Sequence, residues 1–171
     1  AVFDAVLRRC GVVRVQTYNE LFSAARLLAT DHLPAGNRLA IVTNGGGPGV
    51  LAADAAADCG VALAAYGAAT LAKLDTFLPQ TWSHGNPADI LGDATRERFL
   101  ATVEAVLADP EVDGLLALFC PQSVTTSRDA AEHLLPIIRR TGKPVLTAWL
   151  GEHEVRAGRD LIESAGMPAF S

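Results

Sequence analysis

The chain lacks the features that mark several common protein classes. Its 171 residues hold only three cysteines, Cys10, Cys59 and Cys120. They are far apart and odd in number, with no Cys-x-x-Cys pair. A disulfide framework, a zinc ribbon and a thioredoxin-type redox site are therefore not expected, and reduced thiols of a cytoplasmic protein are. No apolar run reaches the roughly 18 residues of a membrane span, and no secretory leader is visible. Lys and Arg number 14 against 19 Asp and Glu, a formal charge of -5. The basic residues are scattered, so no stripe for a phosphate backbone exists and nucleic acid is not the expected partner. Aromatic residues make up 6% of the chain, and none is placed to stack a flavin ring.

What is present is a chain half apolar by count, enough for one domain with a sizeable core. The opening Ala1-Val2-Phe3 reads as helix interior rather than a chain start, and the expectation is a piece of a longer protein. Helical spacing covers Ala1 to Arg9, stopped by Gly11. Val12-Val13-Arg14-Val15 reads as a short strand. Thr17 and Glu20 form a capping box for a helix through Leu28. The turn-forming Leu33-Pro34-Ala35-Gly36-Asn37 marks a boundary. Residues 1–35 then read as the tail of a preceding region, and 36–171 as the main domain.

From Arg38 onward strand and helix patterns alternate. Strands are expected at Leu39–Thr43, Val61–Ala65, Gly114–Cys120, Pro144–Leu150 and from Pro168. Helices are expected at Pro48–Cys59, from a Thr70 cap to about Leu78, at Thr95–Ala108, Ser127–Arg140 and Glu152–Ala165. Trp82 to Asp93 reads as a long irregular loop. Such alternation implies an α/β, flavodoxin-like (Rossmann-like) three-layer sandwich, with a mainly parallel sheet of about five strands. Ligands of such sheets lie beyond the carboxyl ends of the strands. That selects the loops after Thr43, Ala65, Cys120 and Leu150.

The first of these is Thr43-Asn44-Gly45-Gly46-Gly47-Pro48-Gly49. Glycines let backbone N–H groups approach an anion, and a helix start carries partial positive charge. The segment is either a phosphate or carboxylate cradle or a tight turn without a ligand. Val50 stands where a dinucleotide fingerprint wants glycine, and the Lys-Ser/Thr of a Walker loop is missing. The second is Trp82 to Asp89, where Asn86 precedes Pro87 and is held extended. Asp89 suits holding a backbone or orienting a histidine. His84 reads as solvated in a structural loop, or as a group titrating near neutrality. The third is Cys120-Pro121-Gln122-Ser123-Val124-Thr125-Thr126-Ser127, where Thr126 or Ser127 suits a helix cap and Cys120 a buried thiol. Ser123 lacks a Gly-x-Ser-x-Gly elbow. The fourth, Gly151-Glu152-His153-Glu154, lacks the second histidine of a zinc helix, and reads as acids at a helix start. His32 and His133 read as surface or partly buried positions. No metal site is expected.

Taken together, Arg38 to Asp54, Leu78-Pro79, Asn86-Pro87-Ala88-Asp89-Ile90, Asp109-Pro110-Glu111-Val112-Asp113, Lys143-Pro144-Val145 and Ala165-Gly166-Met167-Pro168 resemble the succinyl-CoA-synthetase-like, flavodoxin-like CoA-ligase domain. That domain occurs in NDP-forming acyl-CoA synthetases such as ADP-forming acetate–CoA ligases. The run Phe3 to Arg14 and Glu20-Leu21-Phe22 fit as well. The Trp149 to His153 segment further resembles the ligase-like region of bacterial protein lysine acetyltransferases, which carry a GNAT domain and use the ligase-like part for sensing. The resemblance implies a phosphohistidine upstream of Ala1, so no catalytic residue is expected in this chain. It implies a phosphate cradle of Asn44, Gly45, Gly46, Gly47, Gly49, Gln122, Ser123 and Thr125, supported by Asn86 and Asp89. CoA, ADP or ATP, phosphate and Mg are implied for the intact parent, with none held tightly here. CoA-binding and ATP-grasp domains are the implied partners, on the same or another chain. A GNAT domain is the alternative, and self-association is left open.

Overall fold

The computed structural model describes residues 2–29 and 33–171, so His32 lies outside the described residues. The chain divides into two compact units, Ala1–Asp31 and His32–Ser171. The first holds helices α1 (Val2–Arg9) and α2 (Tyr18–Leu28). Gly11, at φ 67, ends α1 in the left-handed region that glycine tolerates. The Thr17 hydroxyl accepts the Glu20 N–H, and the Glu20 carboxylate reaches back to the Gln16 N–H. That is a reciprocal cap shifted by one residue from the usual box. The expected strand at Val12–Val15 does not form, because among the described residues no strand pairs with it to complete a ladder. Arg14 pairs with Asp4 instead.

The second unit runs β1 (Arg38–Thr43), α3 (Gly46–Asp58), β2 (Ala62–Leu63), α4 (Ala68–Asp75), β3 (Ala88–Asp89), α5 (Arg96–Leu107), β4 (Gly114–Phe119), α6 (Ser127–Arg140), β5 (Val145–Trp149), α7 (Glu152–Ser164) and β6 (Ala169–Phe170). The sheet order is β2-β1-β4-β5-β6, all parallel, with β3 also on β1. This is the flavodoxin-like α/β arrangement, with six strands where about five were expected. The extra one, β3, lies inside the segment that reads as an irregular loop. It pairs Val42 with Ala88 and Thr43 with Asp89.

The central strands carry near-continuous apolar runs because helices cover both faces. Ala40, Ile41, Val42, Leu115, Phe119 and Trp149 are buried. Phe119 contacts Phe99 edge-on at 6.0 Å and Trp149 at 5.2 Å, joining α5 to the two central strands. Helix α6 keeps Pro136 in its interior while Leu134, Leu135, Ile137 and Ile138 are buried around it.

Helix α4 begins earlier than its Thr70 cap implies. Gly67 is its N-cap residue, and the external carboxylate of Asp109 accepts the Gly67 N–H at 2.8 Å. The buried Asp109 also accepts the Glu111 N–H at 2.9 Å. Burial acts to raise the pKa of this carboxyl. The N–H groups of Glu111 and Gly67, the Thr70 hydroxyl and the Lys143 charge outweigh that and hold it below its usual value.

Candidate functional site: the loops after β1 and β4

Strand order reverses between β1 and β4, so the crevice at their carboxyl ends is the topological switch point. Two loops flank it, and Asn44 ties them together. The Asn44 side chain accepts the Cys120 N–H at 2.7 Å and donates to the Cys120 carbonyl at 2.9 Å. Gln122 donates back to the Asn44 carbonyl at 2.9 Å. The buried amide of Asn44 thus acts as a strand-like bridge between the two loops.

Helix α3 opens at this crevice without a side-chain cap and without an acid in its first turn. Thr43 stabilises the approach, its hydroxyl accepting the Gly45 N–H and donating to the Gly45 carbonyl, both at 3.0 Å. Among the described residues the N–H groups of Gly46 and Gly47 meet no acceptor, while Gly49 already bonds to the Gly45 carbonyl. An uncapped, solvent-facing helix start of this kind offers donors and partial positive charge to an anion.

The glycines of this loop have different reasons for being glycine. A Cβ at Gly45 would lie 2.6 Å from Cys120 Sγ, at Gly46 2.6 Å from Asp89 Oδ2, and at Gly49 2.8 Å from Thr43 Cγ2. At each of these three a side chain would displace a neighbour. A Cβ at Gly47 would meet nothing within 4 Å. Glycine costs a helix about 1 kcal/mol relative to alanine, and at Gly47 no internal contact explains that cost.

On the β4 side, Gln122 is spent on Asn44, and the buried Thr125 hydroxyl donates to the Ala94 carbonyl at 3.2 Å. Thr126 caps α6 by accepting the Asp129 N–H, and the buried Ser127 donates to the Glu154 carbonyl at 2.7 Å. Ser123 is exposed, and no hydrogen bond of its hydroxyl is found among the described residues. A cavity of about 520 Å³ lies here, lined by Pro121 through Ser123, Thr125 through Ser127 and Glu154. Cys120 is half-buried, and burial, then the nearby Asp89 charge, push its thiol pKa up.

Asn86 and Asp89 hold the far edge of the crevice. Beside β1, the ladder passes from β2 to β3, and Asn86 fills the gap. Its side chain accepts the Ile41 N–H at 2.9 Å and donates to the Leu39 and Ala64 carbonyls at 2.8 and 3.0 Å. Both of its amide hydrogens and its oxygen are bonded to backbone groups at this edge of the sheet. The Asn86–Pro87 peptide is cis. Asp89 accepts the Leu91 N–H at 2.9 Å and turns its other oxygen toward Gly46. Glu152, His153 and Glu154 are exposed at the start of α7, and Glu154 joins the lining of the cavity beside the β4 loop. Among the described residues no group of three or more His, Cys, Asp or Glu is arranged to hold a metal, and no helix is long and apolar enough to cross a membrane.

A family model described as the ligase-CoA domain matches residues 39–171. The chain belongs to the ligase-CoA domain family. This ligase-CoA domain is 36% identical over 174 residues to the alpha subunit of acetate–CoA ligase [ADP-forming] II of Pyrococcus furiosus, covering 99% of this chain and 38% of that one. It is 38% identical over 168 residues to acetate–CoA ligase [ADP-forming] I of Archaeoglobus fulgidus, covering 98% of this chain and 23% of that one. Among solved structures, the dinucleotide-forming acetyl-coenzyme A synthetase 1 of Ca. Korarchaeum cryptofilum, in complex with phosphate and ADP, superposes with a TM-score of 0.92 at 29% identity. That match covers 99% of this chain and 37% of the synthetase. The domain thus spans well under half the length of these relatives.

Proposed function

We propose that this domain is the CoA-ligase part of an NDP-forming acyl-CoA synthetase of the acetate–CoA ligase type. The parent would interconvert acyl-CoA, ADP and phosphate with the free acid, CoA and ATP. The domain's task is to hold a phosphoryl group, carried on a histidine outside residues 1–171, against the start of α3. The observation that carries this reading is Gly47: it is the one glycine of the loop whose missing side chain leaves open space, beside two N–H groups that meet no acceptor among the described residues.

The chemistry asked of these residues is positioning and charge stabilisation, which dominate phosphoryl transfer. The N–H groups of Gly46 and Gly47 and the α3 dipole would face the phosphoryl oxygens. Asp89 borders Gly46, and its charge biases the phosphoryl toward the Gly47 side of the two N–H groups. Ser123 offers a free hydroxyl on the β4 loop. Asn44, Gln122 and Thr125 act through the backbone they brace, and Asn86 through the sheet edge. Gly45 and Gly49 act by permitting the loop to pack. CoA, the nucleotide and Mg would be held by CoA-binding and ATP-grasp domains elsewhere in the parent. Residues 1–35 belong in this reading to the preceding region, and the parent works in the cytoplasm.

The test is to express the full-length parent and supply acetyl-CoA, ADP and phosphate. ATP formation, with an acid-labile phosphoenzyme, is the expected result. A parent that folds and binds CoA but forms neither ATP nor phosphoenzyme would overturn the proposal.

A further inference from the structure

The segment between α4 and β3 is pinned by a side-chain cluster that the phosphoryl-holding role does not use. Asp75, the last residue of α4, accepts the Trp82 indole N–H at 2.8 Å through Oδ1. The same oxygen lies 3.1 Å from His84 Nδ1. The other ring nitrogen, His84 Nε2, lies 2.9 Å from the Gln80 carbonyl oxygen. The imidazole also packs on the Trp82 ring, with centroids 4.9 Å apart. His84 is at φ 51, in the left-handed region.

Both nitrogens of this ring face acceptors. A neutral imidazole has one N–H and one lone pair, so it donates to only one of the two. The imidazolium donates to both. Its charge also suits the carboxyl end of α4, where helix carbonyls and Asp75 concentrate negative charge. The groups facing the ring are the Asp75 carboxylate from α4, the Gln80 carbonyl and the Trp82 ring. Lys73, in the last turn of α4, makes no ion pair among the described residues.

The neighbouring residue carries this contact onward. The Ser83 hydroxyl donates to the Pro87 carbonyl at 2.6 Å and accepts the Asp89 N–H at 2.9 Å. Asp89 is the β3 residue whose carboxylate borders Gly46. We infer that His84 is a pH-responsive pin: protonated, it bridges Asp75 and the Gln80 carbonyl, fixing Ser83 and with it the placement of Asp89. Losing the proton releases one bridge and loosens the segment from Gln80 to Asp89. The pair is half-exposed, with side-chain exposures of 54% and 52%, so the device adjusts the segment and does not unfold the domain.

The test is a pH titration of the 171-residue chain by NMR, which needs no phosphoryl chemistry and so stands apart from the proposed function. The His84 ring, the Trp82 indole N–H and the Asp89 backbone N–H are expected to shift with one common midpoint. The Trp149 indole, bonded to Thr147 in the core, is expected to stay still. In His84→Ala the pH-dependent shifts of Trp82 and Asp89 should vanish. In Asp75→Asn, which keeps an acceptor but removes its charge, the coupled shifts of Trp82 and Asp89 should shrink. An Asp89 N–H that stays fixed while His84 titrates, or that shifts equally in His84→Ala, would overturn the inference.

Discussion

Replacing Asn86 with alanine removes the side chain that fills the gap between β2 and β3. Three hydrogen bonds go, but their losses differ. The Leu39 carbonyl still accepts the Ala64 N–H at 2.8 Å. The Ile41 N–H and the Ala64 carbonyl, both on buried residues, lose their Asn86 partner. A buried backbone group left unsatisfied costs about 1–3 kcal/mol, so two of them cost roughly 4 kcal/mol. Total stabilities run about 5–15 kcal/mol, which makes this a large fraction. With a urea slope of about 2 kcal/mol per molar, the unfolding midpoint should fall by about 2 M. Asn86→Asp preserves shape but sets a carboxylate against two carbonyl oxygens, and should be at least as damaging. The assay is urea unfolding followed by far-UV circular dichroism, with the slope checked for constancy. An alanine variant within about 1 kcal/mol of the parent, or an aspartate variant as stable as asparagine, would refute the reasoning.

Acid should weaken the fold through Asp113. The Arg38 side-chain hydrogen bond, opposed by partial burial and helped by the Arg38 N–H, holds its carboxyl at about 2 rather than the usual 3.8. A folded pKa below the unfolded value gives stability that is complete above about pH 4 and is lost as pH falls toward 2. Asp113→Asn should flatten that stretch of the stability–pH curve, and an unchanged slope would count against the Arg38 pairing. Thiol reactivity offers a second check. Cys10 and Cys59 are exposed, while Cys120 is half-buried with its thiol pKa pushed up. A disulfide reagent at neutral pH should modify two thiols quickly and the third at least several-fold more slowly. Three equal rates would contradict the placement of Cys120 beside Asp89.

The repeating elements were legible because local chemistry specifies them. Ser127–Arg140 appears as read, with Thr126 as its cap, since apolar spacing and the capping hydroxyl outweigh Pro136. Strands β1, β4 and β5 follow from apolar runs between glycine and proline signals. What stayed hidden is set by distant partners. Strand β3 is two residues long, and only its pairing with Val42 and Thr43 makes it a strand. The Val12–Val15 stretch has strand composition, and no strand pairs with it among the described residues. Helix α4 is capped by Asp109, 42 positions beyond Gly67, so Thr70 misled. In the candidate site, the glycine loop and the β4 loop stand out from strand-to-helix order alone. That Asn44 bridges them, that Asn86 repairs the sheet, and that Gly47 differs from its neighbours depend on atoms brought together only by folding.

Gly47→Val in the full-length parent tests the central claim most directly. The added side chain enters space empty of this domain's own atoms, and valine is a better helix residue than glycine, so the domain should unfold no more easily than before. The account predicts normal CoA binding and an unchanged melting temperature, with phosphoenzyme formation from labelled ATP reduced at least tenfold. Phosphoenzyme at the parent level in a folded Gly47→Val variant would contradict the placement of the phosphoryl group at the start of α3.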